Sequence, residues 1–104
     1  MERVAFKMQL KQGFESEYKK RHDDIWPELK ALLQEAGIFD YSIFLDSQTN
    51  TLFAFQKKKE GNSANQISTD PIMRKWWDHM ADIMEVNPDN SPVCVELPEV
   101  FHLD

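Results

Sequence analysis

At 104 residues the chain has the length of one domain, and we expect a single domain over residues 1–104. The formal net charge of −6 argues against nucleic acid as a partner, because phosphate binding requires a basic surface. A single cysteine, the absence of a signal peptide and the lack of an apolar run near the roughly 20 residues that span a bilayer predict a cytoplasmic protein without a membrane segment.

The first predicted element is a strand over residues 3–10, where apolar and polar side chains alternate with a period of two. Gly13 interrupts this alternation, and a helical pattern then continues to Ala36. Gly37 follows in the position where many helices end on a left-handed residue.

Pro27 lies inside this helical pattern and predicts a break in it. A proline in a helix interior costs roughly 3 kcal/mol, whereas the first turn of a helix tolerates it. We therefore expect one helix to end near His22 and a second helix to be capped by Asp23 or Asp24, with Pro27 in its first turn.

Two further strands are predicted around a polar turn at residues 46–50. The first has Phe39, Tyr41, Ile43 and Leu45 in alternation, which places these four side chains on one face. The second contains the apolar run 52–55, which predicts a strand that is covered on both faces.

The second helical region is predicted to open at residues 61–63 and to contain a helix capped by Thr69 or Asp70, with Pro71 as its first residue. Helical spacing of the apolar residues extends this helix towards Pro88. A loop follows, and residues 93–103 have a strand-like pattern that Pro98 assigns to a sheet edge.

This order of elements predicts an α+β fold of the ferredoxin-like type, a four-stranded antiparallel sheet with helices on one face. The other face of such a sheet requires a cover. A second copy of the chain is the simplest cover, so we expect a homodimer of two packed sheets, a dimeric α+β barrel.

The sequence offers one pattern suited to acid–base chemistry. Tyr18 and His22 are four residues apart and share a helix face, and histidine changes its protonation state near neutrality. His22 alone fits a packed core histidine better than a catalytic one. The adjacent Trp76 and Trp77 favour a pocket instead, because two neighbouring indoles cannot both point to the middle of one helix face and flat indole surfaces suit the apolar face of a sugar.

Other chemistries are disfavoured by the motifs that are missing. The three histidines are far apart in the sequence and form no ligand pair, so no metal site is expected and His79 receives no role. The chain also has no nucleophile elbow or phosphate-binding glycine loop, and Cys94 has no histidine next to it in sequence.

Several of these stretches resemble the L-rhamnose mutarotase family, and the resemblance extends from the first helix to the last strand. The matching stretches are Arg21-His22-Asp23-Asp24-Ile25-Trp26-Pro27-Glu28-Leu29, Tyr41-Ser42-Ile43-Phe44-Leu45-Asp46, Ser68-Thr69-Asp70, Trp76-Trp77 and Asn87-Pro88-Asp89-Asn90-Ser91-Pro92-Val93. The block of histidine, tryptophan and proline and the tryptophan pair are its most specific parts.

The resemblance implies an isomerase that interconverts the α and β anomers of L-rhamnose, with a dimeric ferredoxin-like fold and no cofactor. It implies that His22 is the proton donor and that Tyr18, Tyr41, Trp76 and Trp77 bind the sugar. The group that acts as the base is left open by the sequence, with a tyrosine, a carboxylate or a bound water as alternatives.

Two other functions fit the same order of strands and helices. Cofactor-free monooxygenases and small ligand-binding modules also use a dimeric α+β fold. A monooxygenase is expected to prefer a flat, electron-rich substrate, and a binding module is expected to bind sugar even when His22 is lost.

Overall fold

The computed structural model describes residues 2–59 and 64–104, with residues 64–66 described by their backbone only. The predicted opening of the second helical region at residues 61–63 lies outside the described residues. The elements in chain order are β1 (Glu2–Gln9), α1 (Glu15–Asp23), α2 (Pro27–Glu35), β2 (Ile38–Asp46), β3 (Thr51–Lys58), a 3-10 helix (Ala64–Thr69), α3 (Pro71–Met80) and β4 (Val95–Leu97).

The four strands form one antiparallel sheet in the order β2-β3-β1-β4. This is the strand order of the predicted split arrangement, and the prediction of an α+β fold with a four-stranded antiparallel sheet is confirmed. β4 is an edge strand of three residues that ends immediately before Pro98, as expected of a residue that cannot donate to a ladder. The rest of the predicted strand, residues 93–94 and 98–103, has no regular structure.

Helices cover one face of the sheet and form the core with it. The buried side chains of β1 and β3, among them Met8 and Leu52, pack against Leu29 of α2 and against Trp76 and Met80 of α3. No helix among the described residues is long and apolar enough to cross a membrane.

Pro27 breaks the helical stretch as predicted, but the cap of the second helix is different. Trp26, not Asp23 or Asp24, is the N-cap of α2, and its backbone is extended with φ −63° and ψ 133°. A residue that precedes proline is restricted to this region, so Pro27 itself selects the boundary. Asp24 instead ends α1, where its backbone N–H donates to the carbonyl of Lys20.

Asp70 caps α3 as predicted, accepting a hydrogen bond of 2.9 Å from the backbone N–H of Ile72, and Pro71 is the first helical residue. The helix ends at Met80, well before Pro88. Beyond it, the chain pairs with the end of β1: the N–H of Lys11 donates to the carbonyl of Ile83. These bonds replace the last helical turns that the spacing predicted.

Candidate active site

The helix break places His22 at the end of α1, one turn after Tyr18, and both side chains lie opposite α3. Their rings are stacked, with centroids 4.2 Å apart and an interplanar angle of 28°. Trp76 meets His22 edge-on at 5.4 Å, so the imidazole is in contact with a phenol on one side and an indole on another. Tyr18 and Trp76 are buried, and His22 is partly buried.

Two residues that sequence reasoning left without a role complete this group. The ring centroid of Trp26 lies 5.1 Å from that of Trp76 and 5.5 Å from that of His79. The rings of His79 and Trp76 are 5.6 Å apart between centroids. We call Tyr18, His22, Trp26, Trp76 and His79 the aromatic cluster. A signal for His79 existed in the spacing, because it follows Trp76 by three residues on the same helix. The position of Trp26 depends on the break before α2, and its spacing from His22 did not indicate it.

The hydrogen bond made by His22 orients its imidazole. Nδ1 lies 3.1 Å from the carbonyl oxygen of Tyr18, and because a carbonyl only accepts, Nδ1 must carry the proton. The neutral ring then has its lone pair on Nε2, for which no hydrogen-bond partner is recorded in the described part of the chain. His22 can therefore take or give a proton through Nε2.

Burial lowers the pKa of His22 from its ordinary value of 6.5. The hydrogen bond to the Tyr18 carbonyl and the charge of Asp23 act in the opposite direction but are smaller. The neutral imidazole consequently predominates at neutral pH. The sequence could not decide between these opposing effects, because the extent of burial depends on the packing of α1 against α3.

Tyr41 reaches the site from an irregular part of β2. The ladder with β3 shifts by one residue between Phe39 and Ser42, and Asp40 has a positive φ of 50°. Such a bulge redirects the side chain that it carries. The ring of Tyr41 meets Phe6 of β1 edge-on, with centroids 6.5 Å apart.

Tyr41 and Cys94 lie near enough to Tyr18 of the aromatic cluster to influence its pKa. Burial, with smaller electrostatic contributions from Tyr41 and Cys94, raises the pKa of Tyr18. Although 38% of Tyr41 is exposed, burial of its phenol and the interaction with Cys94 raise the pKa of Tyr41 as well. Both phenols therefore remain neutral at physiological pH and can donate or accept hydrogen bonds.

The two tryptophans occupy different environments. Trp76 is only 6% exposed and belongs to the buried core, whereas Trp77 is partly buried against the edge of that core. The guanidinium of Arg74 lies 5.7 Å from the ring centre of Trp77. The structure thus brings Trp76 together with Tyr18 and His22. The indole of Trp77 points about 100° away around α3, towards Arg74, and makes no ring contact with Tyr18 or His22 among the described residues.

Metal ligation finds no support in the side chains that are described. Residues 2–59 and 64–104 contain no group of three or more histidine, cysteine, aspartate or glutamate side chains placed to hold a metal ion. The chemistry that the site offers is proton transfer by an imidazole between aromatic walls and neutral phenols.

Comparison with known proteins gives consistent results over the full chain. The family model described as L-rhamnose mutarotase matches residues 3–103. Proteins named L-rhamnose mutarotase include one of Phocaeicola vulgatus, 62% identical with 100% of both chains covered, and one of Flavobacterium johnsoniae, 64% identical over 98% of this chain and 95% of the relative. The crystal structure of L-rhamnose mutarotase from Formosa agariphila has a TM-score of 0.93 at 55% identity and covers 100% of both chains.

Proposed function

Because the chain belongs to the L-rhamnose mutarotase family, we propose that it is an isomerase that interconverts the α and β anomers of L-rhamnose. The observation that carries the proposal is the state of His22. Its Nδ1 is bound to a backbone carbonyl, its Nε2 has no hydrogen-bond partner among the described residues, and its ring contacts Tyr18 and Trp76. An imidazole held in this way suits a reaction that consists only of proton transfers and one reversible bond cleavage.

The sugar is bound by four side chains in this proposal. The flat indoles of Trp76 and Trp77 offer apolar surface to the C–H face of the ring. The phenols of Tyr18 and Tyr41 stay neutral and hydrogen-bond the sugar hydroxyls. The structural support is that Tyr18 and Trp76 both contact His22, and that Tyr41 interacts electrostatically with Tyr18.

We assign both proton transfers to Nε2 of His22. The neutral imidazole first takes the proton of the anomeric hydroxyl. As the carbonyl forms, the bond between the anomeric carbon and the ring oxygen breaks, and its electron pair stays on the ring oxygen. The imidazolium then donates its proton to that oxygen, which leaves an open-chain aldehyde and restores neutral His22.

Reclosure reverses these steps on the other face of the aldehyde. The carbonyl group turns, and the hydroxyl formed from the ring oxygen loses its proton to Nε2 as it attacks the carbonyl carbon. The former carbonyl oxygen becomes the new anomeric oxygen and takes that proton from the imidazolium. His22 is therefore the proton donor to the ring oxygen during opening, and its own conjugate form is the base that the sequence left open. The two oxygens are bonded to the same carbon, so a single imidazole can reach both.

The demands on the catalyst are small. Ring opening and reclosure change no oxidation state, so the proposed mechanism uses no cofactor. A well-placed acid–base group contributes roughly 10²–10⁴-fold. That suffices because the anomers already interconvert slowly without an enzyme.

We also propose that the protein acts as a cytoplasmic homodimer, packed through the face of the sheet that the helices leave open. Phe44 and Phe55 lie on this face, 63% and 45% exposed, with ring centroids 5.9 Å apart. A groove of about 460 Å³ on this face extends from Phe55 to Phe101 in the C-terminal segment. Apolar surface of this kind favours association with a second, identical sheet.

The experiment that tests the function is saturation-transfer NMR on L-rhamnose at its anomeric equilibrium. Irradiation of one anomeric proton should reduce the signal of the other when a micromolar amount of protein is present, well beyond the buffer blank. D-glucose is the control sugar, and the protein should accelerate the exchange of its anomers less than that of the L-rhamnose anomers. Binding of rhamnose without any gain in exchange rate would identify a binding module instead.

A further inference from the structure

Arg21 makes four hydrogen bonds, one within α1 and three to the end of α3 and the residues just after it. Its Nε donates to Glu17 at 3.0 Å, and its Nη1 and Nη2 donate to the two carboxylate oxygens of Asp82 at 2.9 and 3.2 Å. Nη1 also donates to the backbone carbonyl of His79 at 2.7 Å. We call this network the Arg21 clamp.

The clamp is shielded on one side only: Arg21 lies mostly out of solvent, whereas Asp82 is 65% exposed. The side chain of Arg21 is only 15% exposed. The bidentate bond to Asp82 is the geometry in which guanidinium and carboxylate interact most strongly and with a defined orientation. The Arg21 guanidinium also lowers the pKa of Asp82, so the carboxylate stays ionised and able to accept both bonds.

The helix that the clamp holds has little else to fix it. Tyr18 is the only buried residue of α1, and the helix makes few close backbone contacts with the other described elements. The position of α1 relative to α3 therefore depends on side chains. Tyr18 anchors the middle of the helix, and Arg21 anchors its C-terminal end.

That end carries His22, whose imidazole must meet Trp76 of α3. Arg21 precedes His22 in the chain and bonds to the carbonyl of His79, which lies in the aromatic cluster one helical turn after Trp76. A shift of α1 would move the imidazole away from the sugar that Trp76 and Trp77 are proposed to hold. A displacement of about 1 Å in such a group can cost on the order of 10²-fold in rate.

We propose that Arg21 is a positioning residue for anomer exchange, which ties α1 to Asp82 and the His79 carbonyl so that His22 stays in register with Trp76. The inference rests on the proposed function, because it assumes that His22 transfers the proton. Of the four side chains proposed to bind the sugar, Tyr41, Trp76 and Trp77 lie outside α1, and Tyr18 is held in the middle of α1 by its own burial rather than by the clamp. Loss of the clamp should therefore lower kcat and leave KM nearly unchanged.

A double-mutant cycle tests the proposal. Arg21→Ala and Asp82→Ala should each lower kcat about 10-fold or more, with KM within about 2-fold, and the double variant should be no slower than Arg21→Ala alone. Arg21→Lys should recover only part of kcat, because an ammonium group cannot make the bidentate bond. Lys19→Ala is the matched control: Lys19 is on the same helix, bonds Asp23 at 2.8 Å and is exposed. It should keep kcat within about 2-fold.

A readout independent of activity follows the imidazole itself. The Cε1–H signal of His22 should be shifted by the stacked Tyr18 ring and the Trp76 edge, and Arg21→Ala should move it while Lys19→Ala should not. An unmoved signal, an unchanged kcat with only a lower melting temperature, or a KM effect alone would each overturn the proposal. Should Arg21→Ala fail to fold, Asp82→Asn, which removes the charge of an exposed residue, decides by the same criteria.

The same measurements separate failure of this inference from failure of the proposed function. If the wild-type protein does not exchange anomers, the function is wrong, yet the His22 signal still reports whether Arg21 positions the ring. If the wild type is active and the variants keep its kcat, only the positioning role is wrong.

Discussion

His22 combines a fixed tautomer with a lowered pKa, and both come from its place at the end of α1. The carbonyl of Tyr18 fixes the proton on Nδ1, and burial against Tyr18 and Trp76 favours the neutral form. The sequence located this residue by its spacing from Tyr18. It did not reveal which protonation state the fold would favour, because that depends on contacts with α3.

The lowered pKa of His22 gives the pH dependence a definite sign. The neutral form is active in the proposed mechanism, so kcat/KM should be low where the imidazole is protonated and should rise as the pH passes its pKa, which lies below 6.5. It should then stay level to about pH 8. The measurement is the exchange rate from pH 5 to 8 after subtraction of the protein-free rate.

A profile that falls over the same range would contradict this assignment. It would mean that the imidazolium is the resting catalyst and that another group removes the anomeric proton. Tyr18 and Tyr41 would be poor candidates for that base, because the pKa of each is raised.

The two tryptophans should respond differently to substitution. Trp76→Ala opens a cavity in the core and should cost about 3–5 kcal/mol of unfolding free energy. Trp77→Ala removes a partly buried ring and should weaken rhamnose binding more than it weakens folding. Denaturant unfolding and fluorescence titration with the sugar measure the two effects.

Two substitutions at Trp77 separate stacking from volume. Trp77→Phe keeps a flat aromatic face and should retain more affinity than Trp77→Leu, which only fills space. Equal affinities for the two variants, or a Trp77→Ala protein that loses stability with unchanged affinity, would show that Trp77 is a packing residue.

At the scale of elements, local sequence rules predict the structure correctly wherever a single residue determines the backbone conformation. Pro27 and Pro71 fix the first turns of two helices. Gly37, with a left-handed φ of 80°, stops the helical backbone just after α2. The cap was predicted as Thr69 or Asp70, and Asp70, the residue directly before the proline at the first helical position, proves to be the cap. These features depend on chain-local chemistry, which a sequence displays directly.

Features that depend on pairing between distant segments were not predictable in this way. Alternation placed Phe39 and Ile43 on one face of β2, but Phe39 pairs with Lys57 and Ile43 pairs with Ala54. Lys57 and Ala54 are three residues apart on β3, so their side chains point to opposite faces of the sheet. Their partners Phe39 and Ile43 therefore also point to opposite faces, and the bulge between Phe39 and Ser42 is the cause. Nothing local to β2 indicates that bulge, although it is what directs Tyr41 towards Phe6.

The cap of α3 provides a test at this scale, because α3 carries both tryptophans. Asp70→Ala removes the acceptor for the N–H of Ile72 and should cost about 1 kcal/mol of stability. Asp70→Ser, which keeps a cap, should lose much less. Thermal unfolding measures both; an Asp70→Ala protein as stable as the wild type would show that the cap contributes nothing here.

At the scale of the whole molecule, the sheet has one covered face and one open face. The apolar run on β3 predicted cover on both sides, yet Phe55 is nearly half exposed in the single chain. In the C-terminal segment, Val100 and Phe101 are also strongly exposed. Burial of these side chains in a dimer would complete the second layer that the sequence predicted.

Sedimentation at micromolar concentration should therefore give twice the chain mass of 12.3 kDa. Phe55→Glu places a charge on the open face of each copy and should produce monomers. Phe14→Glu, at an exposed phenylalanine just before α1, should remain dimeric. A wild-type protein that sediments as a folded monomer would contradict the proposed assembly.

The measurement that tests the account most directly is anomer exchange by His22→Asn. Asparagine can still donate a hydrogen bond towards the Tyr18 carbonyl but has no titrating nitrogen, so the fold should be kept and most of the exchange lost. His102→Asn, a histidine in the C-terminal segment outside the aromatic cluster, should exchange rhamnose anomers at the wild-type rate. A folded His22→Asn protein with the wild-type exchange rate would contradict the account, since His22 would then be a packing residue.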